Sequence, residues 1–462
     1  MQNYPIEKLY ALFLASTGIT TDTRNIQAGN IFFSLKGEKF NANEFAEDAL
    51  AKGAAYVVVD EIFKAEWKEQ YSMQLVLVND VLQTLQRLAS YHRVQFKFPV
   101  LAITGSNGKT TTKELIAAVL SKKFKTYATK GNLNNHIGIP LTLLAVKTDA
   151  EFAVIEMGAN HQGEIASYCE YVQPDFGLIT NVGNAHLEGF GGFEGVVKGK
   201  TELYLDLAKR GGKVFVNGAN EILMEKIADC GLRIADLNTV ISYGTGEGVF
   251  CRGEIGNSSE FLSVVVDGVE IKTNLTGNYN FENVMSAVCV GKYFGVGLPL
   301  IKEAIENYTP SNNRSQKIIS GTNTIILDAY NANPSSMLEA LKSFEALISV
   351  GDNLPTGQAG TNKGVVIIGQ MMELGEYSEA EHKKIAAHVS TLKWNSVTKV
   401  FVGKEFEFMR PMVGDETHHG VLWFEKTEEV KQWFKQQTFE NTLILIKGSR
   451  SNELEKILNS TV

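Results

Sequence analysis

Short apolar runs alternate along the chain with longer stretches in which apolar residues recur every three or four positions. The runs in the first part of the chain are "NIFFSLKG", "AAYVVVD" and "QLVLVN". Continuous apolar runs are typical of strands buried on both faces of a parallel sheet, and the longer period is typical of covering helices. The pattern therefore predicts an α/β protein.

Two further groups of strands follow, one from Pro99 and one from near Gly321. The first comprises "VLAIT", "FAVIEMG", "FGLITNVG" and "KVFVNG", and the second comprises "TIILDAY", "GVVIIGQM", "VTKVFVG", "VLWF" and "TLILIKG". Because each group alternates with helical stretches, each predicts its own sheet. Between them, residues 249–275 alternate around "VDGVE" and predict a hairpin. Residues 350–364 are rich in Gly and Asn and predict a surface loop.

The length of 462 residues fits three domains of about 150 residues each. We predict a smaller N-terminal α/β domain at 1–97 and a central parallel-sheet domain at 98–315. A Rossmann-like C-terminal domain is predicted at 316–462.

Composition and charge narrow the possible functions. The chain is 44% hydrophobic and 21% charged, with a net charge of -8, so we expect a soluble protein that does not bind nucleic acid through its overall charge. The four cysteines have no short metal-ligand spacing and are expected to be free thiols in a reducing cytoplasm. We expect neither a secretion signal nor a membrane span.

One segment carries a clear signal for phosphate binding. "TGSNGKTTT" lies between a predicted strand and a predicted helix, where backbone N–H groups and the helix dipole favour an anion. Lys109 would meet the β- and γ-phosphates, and Thr110 would offer a hydroxyl to Mg²⁺. Ile103 stands where the usual motif has its first glycine, so the loop is a shortened variant. A GTPase is disfavoured because no guanine-specifying Asn-Lys-x-Asp pattern is present.

Three side chains are expected to meet at one edge of the central sheet. Glu156 ends one predicted strand, His186 follows the next, and Thr110 follows the phosphate loop. Parallel strands place their carboxyl ends together, so a hydroxyl, a carboxylate and an imidazole could hold a divalent metal beside ATP. Alternatively, Glu156 lies near a helix start and His186 is an ordinary loop residue.

Lys200 is placed among apolar residues by helical spacing. Val196, Lys200, Leu203 and Leu207 form one stripe, whereas Lys198 points elsewhere and is expected to be solvated. A buried lysine beside a metal is unfavourable as a cation. Lys200 therefore reaches the surface, meets the phosphates, or is modified to a group that binds metal.

The motifs together resemble the Mur ligases of peptidoglycan synthesis, over nearly the whole chain. The segments that carry the resemblance are "ITGSNGKTTTKE", "GNLNNHIGIPLTLL", "FAVIEMGANHQGEI", "NAHLEGFGGFEGVVKGKTE", "GNYNFENVMSA", "DAYNANPSSM" and "MELGEYSEAEH". Two of them, "MGANHQGEI" and "DAYNANP", are particular to the branch that joins D-alanyl-D-alanine to a UDP-MurNAc-tripeptide.

The resemblance implies that the first domain holds UDP, the second ATP, and that the third closes over both. It implies a CO₂-derived carbamate on Lys200 that, with Thr110, Glu156 and His186, helps to hold two Mg²⁺ ions. It also implies that Lys109, Glu156, His186 and Lys200 are catalytic. We expect a cytoplasmic monomer.

The resemblance further assigns binding residues. Those implied for ATP are Thr104, Gly105, Ser106, Asn107, Gly108, Lys109, Thr110, Thr111, Asn278, Asn280, Asn283, Arg314 and Asp328. Those implied for the substrates, with the N-terminal residues at the UDP end, are Thr21, Asp22, Arg24, Ser34, Lys36, Gly37, Asn41, Asn43, Asn134, Asn135, Tyr330, Asn331, Asn333 and Arg450. Relatives often carry Asp and His at the positions of Asn41 and Asn43, and the asparagines of "DAYNANP" could instead form turns and caps.

The implied reaction makes an acyl phosphate from ATP and the terminal carboxylate of the tripeptide, which the amine of D-alanyl-D-alanine then attacks. Three alternatives remain at this point: a folate polyglutamate synthase, a small-molecule P-loop kinase and an ATP-dependent switch protein. "DAYNANP" and "GANHQGEI" argue against the first.

Overall fold

The structure is a computed structural model. It describes residues 4–232, 236, 238–257, 261–310, 313–351, 363–391, 397–413 and 420–458. The predicted loop at 350–364 therefore falls largely outside the described residues. Within the described ranges, no helix combines the length and apolar character needed to cross a membrane.

The N-terminal part of the chain forms a four-stranded parallel sheet. Its strands pair in chain order and are Ile19–Thr20, Ile31–Phe33, Tyr56–Val59 and Leu75–Leu77. A short hairpin of Lys36–Gly37 and Phe40–Asn41 stands beside it. The helices are Ile6–Ala15, Ala46–Ala51, Trp67–Gln70 and Val81–Arg93, with a 3₁₀ turn at Ala42–Phe45. The three apolar runs of the sequence are thus strands, as predicted.

The central part of the chain forms a seven-stranded parallel sheet. In spatial order its strands are Cys251–Arg252, Val240–Gly244, Lys213–Asn217, Phe176–Ile179, Val100–Thr104, Phe152–Glu156 and Thr126–Ala128. Its helices are Lys109–Leu120, Gly138–Leu144, Glu164–Val172, Leu187–Phe190, Phe193–Arg210, Glu221–Asp229, Asn280–Tyr293 and Leu298–Glu306. Apolar side chains from both sheet faces are buried against these helices.

The strand order of this sheet explains where a ligand can bind. Val100–Thr104 lies between Phe152–Glu156 and Phe176–Ile179, with all three strands parallel. The chain leaves Val100–Thr104 toward one side of the sheet and later crosses to the other side. At such a switch point, neighbouring connections diverge and open a crevice at the carboxyl ends of the strands. The phosphate loop, Glu156 and the segment leading to His186 all begin at these ends.

A small antiparallel sheet separates the last central strand from the helix Asn280–Tyr293. It contains Glu254–Ile255, Ser263–Val266 and Val269–Lys272. Asp267 and Gly268 form the turn with positive φ of 51° and 77°. A two-residue turn with positive φ at both positions matches the twist of a hairpin, so the predicted hairpin is confirmed.

The C-terminal part of the chain forms a six-stranded sheet. In spatial order its strands are Gln316–Ser320, Asn323–Asp328, Thr442–Lys447, Lys363–Gly369, Val397–Val402 and Val421–Phe424. The five predicted strands are parallel, and Gln316–Ser320, which was not predicted, adds to the edge antiparallel to Asn323–Asp328. The helices are Pro334–Gly351, Ser378–Thr391 and Thr427–Gln436, with 3₁₀ segments Gly375–Tyr377, Lys404–Met412, Arg450–Asn452 and Leu454–Ile457.

Candidate functional site

The phosphate loop connects the strand Val100–Thr104 to the helix Lys109–Leu120. Gly105 and Gly108 have φ of 139° and 78°, a region in which side chains are strained. A Cβ on Gly105 would lie 2.1 Å from Thr180 Oγ1, and one on Gly108 would lie 2.4 Å from Asn283 Oδ1. Glycine is therefore required at both positions for backbone conformation and for space.

A neighbouring segment that the sequence reasoning missed fixes the loop in place. Ser106 N donates to Asn181 O at 3.0 Å, and Asn107 N donates to Asn181 Oδ1 at 3.0 Å. Thr180 Oγ1 donates to Asn107 O at 2.6 Å, and Gly183 N donates to Ser106 Oγ at 2.9 Å. These donors and acceptors lie just after the adjacent strand Phe176–Ile179. The loop is therefore held in shape by the protein itself.

Lys109 lies over its own loop. Its Nζ donates to Gly105 O at 2.6 Å and to Ser106 O at 3.0 Å. The side chain is partly accessible, yet its ammonium is enclosed, and this desolvation lowers the pKa of Lys109 to about 8. The charge of Glu156 opposes the shift and that of Arg314 adds to it. A triphosphate would supply the negative charge that this ammonium lacks.

Of the three side chains predicted to meet at the sheet edge, Thr110 and Glu156 are in direct contact, whereas the side-chain contact of His186 is with Glu373. Thr110 Oγ1 donates to Glu156 Oε1 at 3.1 Å, and Asn134 Nδ2 donates to the same oxygen at 2.8 Å. Glu156 is buried, and its other oxygen, Oε2, has no hydrogen-bond partner among the described residues. The nearest cation is buried Lys113, whose Nζ lies 3.8 Å from Oε2. A buried carboxylate oxygen without a donor is a natural ligand for a hard cation.

The inward orientation predicted for Lys200 is confirmed. Lys200 is 1% exposed on the helix Phe193–Arg210, whereas Lys198 is exposed. Its Nζ donates to Ala159 O at 2.9 Å and lies 4.9 Å from the centre of the Phe190 ring. Desolvation, assisted by the charge of Lys109, lowers the pKa of Lys200 well below its usual value.

His186 lies at the start of the short helix Leu187–Phe190 and has a positive φ of 54°. Its buried Nδ1 contacts a carboxylate oxygen of Glu373, which belongs to the C-terminal sheet region. The contact lowers the pKa of Glu373. The described residues contain no group of three or more His, Cys, Asp or Glu side chains that could hold a metal.

The asparagines expected near adenine differ in their surroundings. Asn280 and Asn283 are buried and joined by a hydrogen bond of 2.8 Å, and Thr112 Oγ1 donates to Asn283 Oδ1 at 3.0 Å. Asn283 therefore joins the helix Asn280–Tyr293 to the phosphate-loop helix, and Asn280 supports Asn283 from its own helix. Asn278 instead lines a cavity of about 330 Å³ together with Tyr279, Phe261 and Ser343.

A cluster of charged and aromatic residues joins the last central residues to the C-terminal sheet. Arg314 stacks on the Tyr330 ring at 3.6 Å from its centre, and Arg450 lies at 5.7 Å from the same centre. Asp328 accepts from Ser315 N at 3.1 Å and from buried Lys447 Nζ at 2.5 Å. Four residues expected at the site, Arg314, Asp328, Tyr330 and Arg450, thus lie together.

The motif "DAYNANP" also reaches the phosphate loop. Asn333 Nδ2 donates to Asn107 Oδ1 at 2.7 Å, and Ser335 Oγ accepts from Asn184 N at 3.0 Å. Asn333 Oδ1 accepts from Ser336 N at 2.9 Å, so Asn333 also caps the helix Pro334–Gly351. Asn331 is exposed and its side chain bonds the adjacent Ala332 N at 2.9 Å. Asn135 caps the helix Gly138–Leu144 by accepting from Gly138 N at 2.8 Å.

The residues expected to bind UDP lie in the N-terminal part of the chain. Lys36 pairs with Asp60 at 2.9 Å and with Glu61 at 3.2 Å. Buried Asn43 donates to Asp60 Oδ1 at 2.8 Å, and Asn41 donates to Glu61 Oε2 at 3.0 Å. The sequence reasoning missed both carboxylates, which hold this network together.

The other N-terminal residues expected to bind substrate are Thr21, Asp22, Arg24, Ser34 and Gly37. Asp22 pairs with Arg24 at 2.8 Å, and Thr21 precedes them. Ser34 is buried with no partner for its hydroxyl among the described residues, and Gly37 packs under Phe40.

The three large sheets and the phosphate loop define a multidomain P-loop protein. Three segments match families of known proteins: 16–93 matches "Mur ligase family, catalytic domain", 103–291 matches "Mur ligase middle domain", and 313–450 matches "Mur ligase, glutamate ligase domain". Together these matches span most of the chain.

Similar proteins of known name support the same assignment. The UDP-N-acetylmuramoyl-tripeptide–D-alanyl-D-alanine ligase of Bacillus subtilis is 31% identical over 455 residues, covering 96% of this chain and 93% of that protein. The enzyme of the same name from Escherichia coli is 32% identical over 449 residues, with the same coverage. The crystal structure of MurF from Acinetobacter baumannii has a TM-score of 0.82 and 27% identity, covering 100% of this chain and 99% of the other. This chain belongs to the Mur ligase family.

Proposed function

We propose that this chain is an ATP-dependent amide ligase that adds D-alanyl-D-alanine to UDP-N-acetylmuramoyl-tripeptide. The relatives named for this reaction match 96% of this chain, and the matches cover 93% of each relative. The observation that carries the proposal is the contact between Thr110 and Glu156 at the end of the phosphate loop, beside a carboxylate oxygen with no donor.

Amide formation requires an activated carboxylate, because a carboxylate oxygen is a poor leaving group. The terminal carboxylate of the tripeptide attacks the γ-phosphorus of ATP, and ADP leaves. The amine of D-alanyl-D-alanine then attacks the acyl carbon, and phosphate leaves as the tetrahedral intermediate collapses. No side chain of the protein needs to form a covalent bond, so the work of the protein is alignment and charge stabilisation.

The phosphate loop and Lys109 are proposed to hold the β- and γ-phosphates. The loop is already shaped by Thr180 and Asn181, and it needs little rearrangement to present its N–H groups. Lys109, now bonded to carbonyl oxygens of its own loop, would turn to the triphosphate. Arg314 and Arg450 lie beside the same Tyr330 ring, and the charge of Arg314 already acts on Lys109. Both arginines would offer further positive charge to phosphate or to a carboxylate.

We propose that the reaction also uses two Mg²⁺ ions, and the buried Glu156 oxygen without a donor supports a cation at this edge of the sheet. Thr110, Glu156 and His186 would hold them, with Lys200 as a carbamate. Lys200 suits that modification because its buried amine has a lowered pKa and is therefore available in the neutral form that combines with CO₂. When bound, Mg²⁺ would neutralise charge on the transferring phosphoryl group.

Water must be kept from the acyl phosphate, because it hydrolyses readily. Contacts across the boundary, from Asn333 to Asn107 and from Asn184 to Ser335, already bring the C-terminal sheet region over the phosphate loop. We propose that this region closes on the site during turnover.

The function can be tested by measuring phosphate release from ATP with UDP-MurNAc-tripeptide, with and without D-alanyl-D-alanine. A ligase releases free phosphate in a sustained reaction only when both are present. A kinase would instead release ADP and retain the phosphate on its product, and a switch protein would be indifferent to the dipeptide. The Lys109→Ala variant should lose the reaction. Comparing diaminopimelate and lysine forms of the tripeptide would define the preferred third residue.

A further inference from the structure

The contact between His186 and Glu373 crosses from the central sheet region to the C-terminal one. The buried Nδ1 of the imidazole lies against the Glu373 carboxylate. The same residue makes a second contact at this boundary, because Glu373 O accepts from Glu188 N at 3.3 Å. Gly375 lies against the same Glu188, whose side chain is 3.0 Å from where a Cβ would be. The segment around Glu373 thus contacts both His186 and Glu188 at the start of the helix Leu187–Phe190.

The segment carrying Glu373 is fixed within its own part of the structure. Met371 N donates to buried His382 Nε2 at 2.9 Å, and Met372 N donates to Ser449 Oγ at 3.1 Å. Glu373 has a positive φ of 63°, and His186 has one of 54°. Left-handed backbone at residues other than glycine persists where the surrounding contacts determine it. The backbone position of Glu373 is therefore set by the fold, and its half-exposed side chain reaches from there to His186.

An imidazole that binds a metal through one nitrogen usually donates the N–H of its other nitrogen to a carboxylate or carbonyl. Because such a partner fixes both the tautomer and the ring orientation, losing it weakens metal binding by about 10- to 100-fold. The Glu373 carboxylate contacts Nδ1 of His186, which makes no hydrogen bond to any other described residue. A bond from Nδ1–H to this carboxylate would leave the lone pair of Nε2 for a metal.

We propose that Glu373 is a positioning residue that holds His186 in the tautomer able to bind metal, and that the docked C-terminal region thereby completes the metal site. This inference rests on the proposed function and deepens it. Metal binding and docking of the C-terminal region would then be coupled. The Glu373 carboxylate reaches His186 only when the C-terminal region is in contact with the helix that follows His186.

The first test examines the tautomer in enzyme free of metal and nucleotide. Protein labelled with ¹⁵N-histidine is studied at mildly alkaline pH, and the His186 signals are assigned with the His186→Gln variant. Wild type should carry the proton on Nδ1. Glu373→Ala should lose this preference, and Glu373→Gln should retain part of it. The matched control is Glu376→Ala, which removes an exposed carboxylate three residues away.

The second test measures Mn²⁺ affinity with ADP present by electron paramagnetic resonance. Glu373→Ala should bind Mn²⁺ about tenfold more weakly, whereas Glu376→Ala should match wild type. A wild-type tautomer or a wild-type Mn²⁺ affinity in Glu373→Ala would overturn the proposal. The tautomer and the Mn²⁺ affinity can both be measured without the ligation reaction. The proposed function would be refuted separately, if the wild-type enzyme showed no dipeptide-dependent phosphate release.

Discussion

Asn333 donates a hydrogen bond of 2.7 Å to Asn107, two residues before the phosphate-loop lysine. The two residues are 226 positions apart in the sequence. Asn333 also caps its own helix through Ser336 N. The Asn333 side chain therefore has two roles. It caps the helix Pro334–Gly351, and it contacts the loop proposed to bind ATP.

Substituting Asn333 should separate these two roles. Asn333→Ala loses the cap and the bond to Asn107, and should lower the free energy of unfolding by about 1 kcal/mol. Asn333→Ser can still cap the helix but is too short to reach Asn107. Both variants should reduce kcat/KM for ATP about fivefold, as expected for about 1 kcal/mol of hydrogen bonding. Thermal unfolding and steady-state phosphate release measure the two effects, and wild-type kinetics for Asn333→Ser would contradict the second role.

Lys113 should matter for stability because of its position beside Glu156. Its Nζ lies 3.8 Å from the carboxylate oxygen that lacks a donor, and both side chains are nearly fully buried. Lys113→Met leaves a buried carboxylate without its nearest cation and should destabilise the protein by about 3 kcal/mol. Lys122→Met breaks a surface pair with Glu303 and should change stability by less than about 1 kcal/mol. Urea unfolding compares the two variants, and equal losses would refute the role given to Lys113.

Nucleotide affinity should fall as the pH rises above about 8. The pKa of Lys109 is about 8 in the nucleotide-free protein, so the ammonium needed for phosphate binding is lost above that pH. Titration calorimetry should find weaker ATP binding, by up to about tenfold per pH unit, with proton uptake on binding. Lys109→Arg should remove this dependence, because arginine stays charged.

The lowered pKa of Lys109 should also make the free energy of unfolding depend on pH. Unfolded Lys109, with a pKa near 10.5, keeps a proton that the folded protein has released above about pH 8. The contribution of Lys109 to the free energy of unfolding should therefore increase with pH between these values. Denaturation of wild type and Lys109→Met at several pH values measures the difference, and parallel curves would contradict it.

The proposed carbamylation of Lys200 can be tested directly. Its buried amine, with a pKa far below the usual value, is expected to react with CO₂. Enzyme exchanged into ¹³C-bicarbonate should give a carbamate signal in ¹³C NMR that is absent from Lys200→Ala and present in the control Lys198→Ala. Lys200→Ala should also lose ligation, with partial recovery on adding formate or acetate. Full activity of this variant would exclude the carbamate as a catalytic requirement.

Local pattern was enough to predict the sheets and the strand-loop-helix arrangement around Lys109. The runs "VLAIT" and "FAVIE" gave two parallel strands, and parallel strands bring their ends together, so the contact of Thr110 with Glu156 followed. Helical spacing was enough to place Lys200 inside. The edge strand Gln316–Ser320 was missed, since it has little alternation and is only partly buried.

Contacts between distant segments could not be predicted from local pattern. Glu373 meets His186 only because the segment leading to Gly375–Tyr377 lies against the helix Leu187–Phe190, and nothing near either residue in the sequence indicates that contact. Lys113 looks like an ordinary helix lysine until Glu156 is placed on the adjacent strand. Asp60 and Glu61 follow the strand Tyr56–Val59, and their pairing with Lys36 depends on the hairpin that folds beside it.

Gly105 and Gly108 leave the phosphate loop little freedom to vary. Any side chain at either position would meet Thr180 or Asn283 at a distance no packed atom tolerates. An inhibitor that binds against the backbone of these two residues would therefore be hard to escape by mutation there. Resistance would have to arise at more distant positions, where a substitution does not disrupt the loop.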